Sequence, residues 1–357
     1  MTTLQLSNYK IEIASLDQIC AGLNAWLRAK SWSKVFVLLD ENTERDCLPL
    51  LERALWPEDR VLIKINSGEE NKNIYTCQSI WQQMVSGGGD RHSLLVNLGG
   101  GVIGDMGGFA ASTYMRGISF LNIPTTLLAQ VDASVGGKLG VDFNGLKNMI
   151  GMFNDPVAVL LCPEFFYTLP EEQLRSGFAE VLKHALIKDE SEFEFLEGQD
   201  PLQIPEWTEI VARSVAIKKE IVQEDPFEKG VRKILNFGHT LGHAVETESF
   251  KTSSPLMHGE AIGIGMLCES WISANTKRIS NKTLDQIADA IKAAFPYCDI
   301  RGLAKDQIMG HMLHDKKNVS GSIRFSLLSG IGSCETDCQV QTELITESLE
   351  YYHSVYA

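Results

Sequence analysis

Short apolar runs alternate with longer stretches of helical periodicity through the first half of the chain. Val35-Phe36-Val37-Leu38-Leu39 ends on Asp40 and reads as a strand buried on both faces, because no polar position interrupts it. The runs at 61–65, 94–98, 120–123 before Pro124, and 158–161 repeat that pattern. Continuous apolar strands separated by helical windows predict an α/β region whose parallel sheet is covered on both faces. After Cys162-Pro163 the period lengthens and predicts helices over 171–188, 207–222, 239–249, 259–274 and 282–294. The pattern therefore places a boundary near residue 163, with an α/β domain over 1–163 and a mainly α-helical domain over 164–357. A short hairpin is expected at 323–328, after the turn-like Ser320-Gly321-Ser322. Ligands of open parallel sheets bind beyond the carboxyl ends of the strands.

Composition narrows the function classes. A chain of 357 residues is long for one core, which agrees with two domains. Lys and Arg number 32 against 46 Asp and Glu, a net charge of −14. That balance excludes a general nucleic-acid binder, which needs a basic surface, but leaves room for a local anion pocket. No apolar stretch approaches the roughly 18 residues of a membrane-spanning helix. The opening Met1-Thr2-Thr3-Leu4-Gln5-Leu6-Ser7 lacks the basic lead and apolar block of a secretion signal. The eight cysteines are scattered without a C-x-x-C and read as reduced, packed thiols of a cytoplasmic protein.

Two constellations carry candidate chemistry. Gly99, Gly101 and Gly104 form G-x-G-x-x-G directly after a strand, the arrangement that brings backbone N–H groups up to a pyrophosphate. The usual ribose-binding acid about 20 residues later is missing, since the next acid after Asp105 is Asp132. Asp40 is the better ribose candidate, with Asn42 and the Gly68-Glu69-Glu70-Asn71-Lys72 loop completing a pocket. A tight turn without a ligand is the alternative reading. The second constellation joins Glu180, Lys183 and His184 on one helix face, His239 and His243 one turn apart, and His258-Gly259-Glu260. One Glu and two or three His from separate helices make a catalytic zinc set with an open position. The alternative is that these are surface or packing histidines. Arg116, Lys138, Lys147, Lys183, Lys218, Arg232 and Lys316-Lys317 bracket these segments, and cations near a metal centre suit an anionic substrate. Scattered solvated charge is the alternative for any one of them.

Ordered blocks then resemble one family. They are Gly99-Gly100-Gly101-Val102-Ile103-Gly104-Asp105, Tyr114-Met115-Arg116-Gly117, Pro124-Thr125-Thr126-Leu127-Leu128 and Val131-Asp132-Ala133-Ser134-Val135-Gly136-Gly137-Lys138. Lys147-Asn148, Ala179-Glu180-Val181-Leu182-Lys183, Asn236-Phe237-Gly238-His239-Thr240-Leu241-Gly242-His243 and His258-Gly259-Glu260 follow in order. The series resembles 3-dehydroquinate synthase, a sugar-phosphate cyclase of the shikimate pathway, over residues 35–332. The resemblance implies a Rossmann-like domain followed by a helical one, bound NAD, one divalent ion (zinc or cobalt), a phosphorylated sugar acid as substrate, and a homodimer. By the same resemblance Glu180, His239 and His258 match the metal ligands, and His243 matches a substrate-side histidine. Lys138, Asn148, Lys183, Lys218, Arg232, Asn236 and one of Lys316-Lys317 match substrate contacts, and Arg116 matches one reaching the phosphate region of a neighbouring subunit. Asp40, Asn42, Glu69, Lys72, Gly101, Val102, Asp105, Thr125, Thr126, Asp132, Lys138, Lys147, Phe165 and Thr168 match the nucleotide side.

Several positions depart from the family pattern. Gln173 replaces a common Glu, His184 a common Tyr, and Leu139 a frequent Thr, while Asn144-Gly145-Leu146 replaces Pro-x-Gly. No departure removes a metal ligand, and His184 is read as a packing residue. The activity implied is a lyase reaction, from 3-deoxy-D-arabino-heptulosonate 7-phosphate to 3-dehydroquinate and phosphate. A sister cyclase acting on another sugar phosphate, or a metal- and NAD-dependent polyol dehydrogenase, is the rival. Asn148, Arg232 and Asn236 together favour dehydroquinate, and the many cations argue against the dehydrogenase.

Overall fold

The computed structural model describes residues 1–144, 146–313 and 323–357. The chain forms two compact units, Met1–Pro170 with Trp207–Lys219, and Glu171–Glu206 with Glu220–Ala357. A single boundary at 163 does not describe this division, because the segment that opens the long helix after residue 206 packs with the first unit.

The first unit is built on a seven-stranded sheet. Its strands are β1 (Thr2–Gln5), β2 (Lys10–Ile13), β3 (Val35–Asp40), β4 (Val61–Ile65), β5 (Leu94–Gly99), β6 (Ser119–Pro124) and, beyond a separate hairpin of β7 (Lys138–Phe143) and β8 (Leu146–Phe153), β9 (Ala158–Leu161). The spatial order is β1-β2-β9-β6-β5-β3-β4, parallel throughout except for β1, which runs antiparallel on the edge. The helices are α1 (Leu16–Ala29), α2 (Glu41–Asp46), α3 (Leu48–Leu51), α4 (Ile74–Ser86) and α5 (Gly101–Thr113). Val35, Val37 and Leu39 of β3 pack with Ile19 and Leu23 of α1 on one face, whereas Phe36 and Leu38 pack with Ile80 of α4 and Met106 of α5 on the other. That two-sided burial is why the strand carries no polar position before Asp40. The strands at 61–65 and 158–161 fall where the apolar pattern puts them, and β3, β5 and β6 each run a residue or two longer. The β1–β2 hairpin and the β7–β8 hairpin were not anticipated.

The second unit carries α6 (Glu171–Lys188), α7 (Glu190–Leu196), the end of α8 (Thr208–Glu224), α9 (His239–Ser249), α10 (His258–Asn275), α11 (Asn281–Ala294), α12 (Lys305–Leu313), the hairpin β10 (Arg324–Gly330) and β11 (Ser333–Gln339), and α13 (Thr342–Val355). Helix α10 is buried around most of its circumference, as expected of a helix packed by neighbours on all sides. The hairpin corrects the expectation at 323–328: β10 pairs forward with β11 around Ile331-Gly332, and Ser320-Gly321-Ser322 lies outside the described residues. No helix among the described residues is long and apolar enough to cross a membrane.

Candidate metal centre and nucleotide pocket

In the first unit the sheet order sets the pocket. Strand β4 lies on one side of β3 and β5 on the other, so the chain reverses direction across the sheet between β3 and β5. Open α/β sheets bind ligands beyond the carboxyl ends of the strands at such a reversal. Asp40 ends β3 and Gly99 ends β5, which puts the proposed ribose acid and the glycine turn on the two lips of that position. Gly100 begins α5 without a side-chain cap, leaving the first-turn N–H groups for an anion. A crevice lies there, lined by Gly99, Gly100, Gly101, Gly104, Asp105, neighbours from β5 and β6, and the turn at Ala129–Ser134.

The glycines fit a dinucleotide for a steric reason. A Cβ on Gly101 would meet only Ala133 at 3.4 Å, and one on Gly104 would meet nothing within 4 Å. These two glycines are therefore not demanded by the protein's own packing, and the space beside them suits a bound backbone or phosphate. Gly104→Ala is expected to leave the stability unchanged or to raise it by about 0.5–1 kcal/mol, so that the melting temperature stays the same or rises slightly. The same methyl should weaken NAD binding about tenfold or more by filling the crevice. Thermal melts and a nicotinamide titration on one preparation check both, and a destabilised variant with normal NAD affinity contradicts the assignment.

Around this crevice Lys72 Nζ donates to Asp105 Oδ2 at 2.7 Å and to Asn148 Oδ1 at 2.7 Å. Glu69 stands 3.9 Å from the same ammonium. Asn148, matched to substrate, is thus tied directly to Lys72, matched to the nucleotide, and through it to Asp105. Asp40 is the N-cap of α2, its Oδ1 accepting the Thr43 N–H at 2.8 Å, and Asn42 is exposed in the first turn. The Thr125 N–H donates to the Gly99 carbonyl at 3.1 Å, and Thr126 Oγ1 accepts the Ala129 N–H at 3.1 Å, so both threonines brace the turn. Val102 lies in the first turn of α5. Asp132 sits in a π-type turn, Ala129–Ala133, and takes Lys218 Nζ on Oδ1 at 2.6 Å and on its own carbonyl. Phe165 is buried in the core, and Thr168 Oγ1 donates to its carbonyl at 3.3 Å. Lys138 opens β7 and Lys147 lies on β8, both exposed. Arg116 is exposed in a left-handed turn with Met115 (φ 68° and 49°).

The second unit brings the predicted ligands together. Glu180 projects from the middle of α6, His239 begins α9, and His258 begins α10. Glu180 Oε1 lies 3.3 Å from His239 Nε2 and 3.7 Å from His258 Nε2. His243, one turn after His239, completes a triangle of imidazoles with ring centroids 4.9 Å and 5.7 Å from those of His239 and His258. Donor atoms of the three imidazoles all lie within 4.8 Å of one another. Lys183, fully buried one turn along α6, pairs with Glu180 Oε2. Nδ1 of His239 faces the Phe237 carbonyl at 3.1 Å, which orients Nε2 toward Glu180.

The charges suit an ion. Burial raises the Glu180 carboxyl, but Lys183 and the two imidazoles more than offset it and hold it well below the usual carboxylate range. Burial and Lys183 press His239 down to about 4, so this ring is neutral and ready to ligate. Burial opposes protonation of His258, yet Glu180 and Glu246 beside it win and hold it at about 9. Neither Glu180 oxygen accepts a hydrogen bond of ordinary geometry although both are buried. A buried anionic carboxylate of that kind, faced by two Nε2 atoms, fits a divalent cation.

Other predicted residues of this unit fall nearby in sequence with definite partners. Buried Arg232 donates from Nη1 to the Pro226 carbonyl at 2.6 Å, and Asn236 Nδ2 donates to Glu228 Oε1 at 2.8 Å. His184 is fully buried on α6, and Gln173 is half-buried in its first turn. Lys316 and Lys317 lie outside the described residues.

Two carboxylates escaped the sequence reading. Glu246 Oε2 stands 3.4 Å from His258 Nδ1, and its spacing from His239 and His243 on α9 would have revealed it as a member of the same helix face. Glu269 of α10 accepts the Gly238 N–H at 2.7 Å and the Leu241 N–H at 3.1 Å, capping α9 from a neighbouring helix. No local sequence signal marks that contact, because the capping residue lies on another helix.

The comparisons with known proteins agree along the chain. The family profile for 3-dehydroquinate synthase N-terminal matches residues 62–176, and that for 3-dehydroquinate synthase C-terminal matches 177–318. The chain belongs to the 3-dehydroquinate synthase family. A 3-dehydroquinate synthase of Parabacteroides distasonis is 41% identical over 332 residues, covering 92% of this chain and 94% of that protein. One from Helicobacter pylori is 37% identical over 351 residues, covering 98% of each chain. Among solved structures, a 2-epi-5-epi-valiolone synthase from Streptomyces hygroscopicus subsp. jinggangensis 5008 with NAD+ and Zn2+ bound is similar at TM-score 0.86 and 27% identity, covering 99% of each chain. Like other 3-dehydroquinate synthase family members it is thus an α/β protein with a parallel-sheet region of Rossmann type.

Proposed function

We propose that this chain is a 3-dehydroquinate synthase. It converts 3-deoxy-D-arabino-heptulosonate 7-phosphate to 3-dehydroquinate and phosphate by transient oxidation, elimination, re-reduction and intramolecular aldol closure, with no net redox change. The observation that carries the reading is the convergence of both Nε2 atoms on Glu180 Oε1 within a chain matched by both family profiles. Bound NAD supplies a hydride acceptor that is regenerated each turnover, and a divalent ion supplies a Lewis acid for the reacting hydroxyls. Glu180, His239 and His258 would hold the ion, and the crevice at Gly99–Asp105 would hold the nucleotide.

The chain's own residues do the rest. Once the substrate carbon is a ketone, the neighbouring C–H is acidic, and the departing phosphate takes that proton as the C–O bond breaks. No second carboxylate base is then required. A ring nitrogen of His243 moves protons to and from the reacting hydroxyl, because that imidazole borders the ligand pair, its ring centroid 4.9 Å from that of His239 and 5.7 Å from that of His258. Lys183, Lys218, Lys138 and Arg232 hold the substrate's carboxylate and phosphate, with Asn148, Asn236, Arg116 and one of Lys316-Lys317 completing the contacts. Lys218 arrives already oriented by Asp132. A homodimer is part of this reading: Phe143, Leu146, Met149, Met152 and Phe153 all stand exposed on one hairpin, a surface suited to a second copy. The reading places the enzyme in the cytoplasm, where charge retains a phosphorylated sugar acid.

The deciding assay supplies that substrate with NAD and Co2+ or Zn2+ and follows phosphate together with absorbance at the reduced-nicotinamide band. Phosphate release without NADH accumulation is expected. Stoichiometric NADH would instead mark a dehydrogenase, and turnover only of another sugar phosphate would mark a sister cyclase.

A further inference from the structure

We propose that Glu246 is the positioning carboxylate of the ion-binding set, holding His258 in the tautomer and ring orientation that present Nε2 to a divalent cation. The proposal rests on His258 being a ligand. A neutral imidazole has a single N–H, so whichever nitrogen donates leaves the other to ligate. Glu246 Oε2 lies 3.4 Å from His258 Nδ1, and the opposite nitrogen lies 3.7 Å from Glu180 Oε1. The ring is thus strung between two buried carboxylates, one on the ligand side and one behind it.

The two ligand histidines are supported differently, and this makes Glu246 consequential. His239 faces a backbone carbonyl, Phe237 O, fixed by the turn that begins α9. His258, like His239, is the first residue of its helix, but its side chain is 26% exposed against 12% for His239. It therefore needs an outside partner. Glu246 supplies one from a buried point on α9, the helix that also carries His239 and His243. A carboxylate behind an imidazole also makes the ligating nitrogen more basic, an effect worth about 10–100-fold in metal affinity in general. Glu246 touches neither substrate nor nucleotide in this reading, so its effect should appear first in ion binding.

The test is the affinity for Co2+ alone, measured by competition with a chelating dye, together with the visible absorption of bound Co2+. Glu246→Ala is expected to bind Co2+ about 10–100-fold more weakly and to shift the absorption band. Glu246→Gln keeps a neutral acceptor for Nδ1–H and should lose only several-fold, a partial rescue that a merely structural role does not predict. In a His258→Ala background the Glu246→Ala change should have no further effect on Co2+ affinity. Parental affinity and spectrum in a folded Glu246→Ala protein would overturn the proposal. If that variant does not fold, parental values in Glu246→Gln would do so. Undiminished Co2+ affinity in His258→Ala alone would overturn the ligand reading instead, so the two failures are distinguishable.

Discussion

His258→Ala is expected to give a folded protein that retains no stoichiometric divalent ion and turns over at least about 10³-fold more slowly, the scale of several kcal/mol of Lewis-acid stabilisation. The fold survives because the side chain sits at a helix start, is partly exposed, and contacts Glu180 and Glu246 rather than apolar core. In the proposed ligand set only Glu180 and His239 would then remain, and two ligands do not make a zinc or cobalt site. Elemental analysis after dialysis reads the metal, and circular dichroism reads the fold. Adding saturating Co2+ should raise the melting temperature of the parent and leave that of the variant unchanged, since only the parent binds ion preferentially in the native state. Full metal content in the variant would refute the assignment of His258, and with it the geometry on which the functional reading stands.

How much of this was legible in the chain depends on whether the determining contact is local. The five main sheet strands were legible because burial on both faces leaves an unbroken apolar run, and Asp40 and Gly99 were legible as strand ends. The helices carrying Glu180 and His239 have the expected bounds, since their apolar period and polar flanks are local properties. The β7–β8 hairpin was missed although Asn144-Gly145 is a strong hairpin signal; the family pattern drew attention to it only as a replaced Pro-x-Gly. β1 and β2 were missed because each has only four residues, too few for alternation to stand out. Within the site, the spacing of His239 and His243 could not say which one ligates. The structure brings Nε2 of His239 and of His258 to 3.3 and 3.7 Å from Glu180 Oε1, and it places the His243 ring beside the pair. Glu269 could not be found at all, for its partners are backbone N–H groups on another helix.

That last contact leads to the second large effect, at a residue that touches no ligand. Gly265→Ala is expected to destabilise the protein by more than about 4 kcal/mol and to strip the ion, although the change is one methyl on α10. A Cβ at 265 would lie 1.9 Å from the Gly238 carbonyl oxygen and 2.8 Å from the Gly242 N, both backbone atoms of the facing segment. Backbone cannot rotate aside as a side chain can, so α9 must move off α10. Gly238 has no room to yield: it holds φ 78° as the left-handed N-cap of α9 and is already packed on Met266. Separation of the helices pulls Gly238 N and Leu241 N from Glu269, leaving a buried carboxylate without its partners. It also carries His239 away from Glu180, which belongs to α6, and from His258, which belongs to α10. The expected readout is a fall of about 10 °C in melting temperature together with loss of bound Co2+. Gly310→Ala on α12 is the matched control, since a Cβ there meets nothing within 4 Å, and it should be neutral or stabilising by about 0.4–1 kcal/mol. A Gly265→Ala protein that melts with the parent and keeps its ion would mean that the two helices do not cross as closely as described, and that His239 is held in place by something other than this crossing.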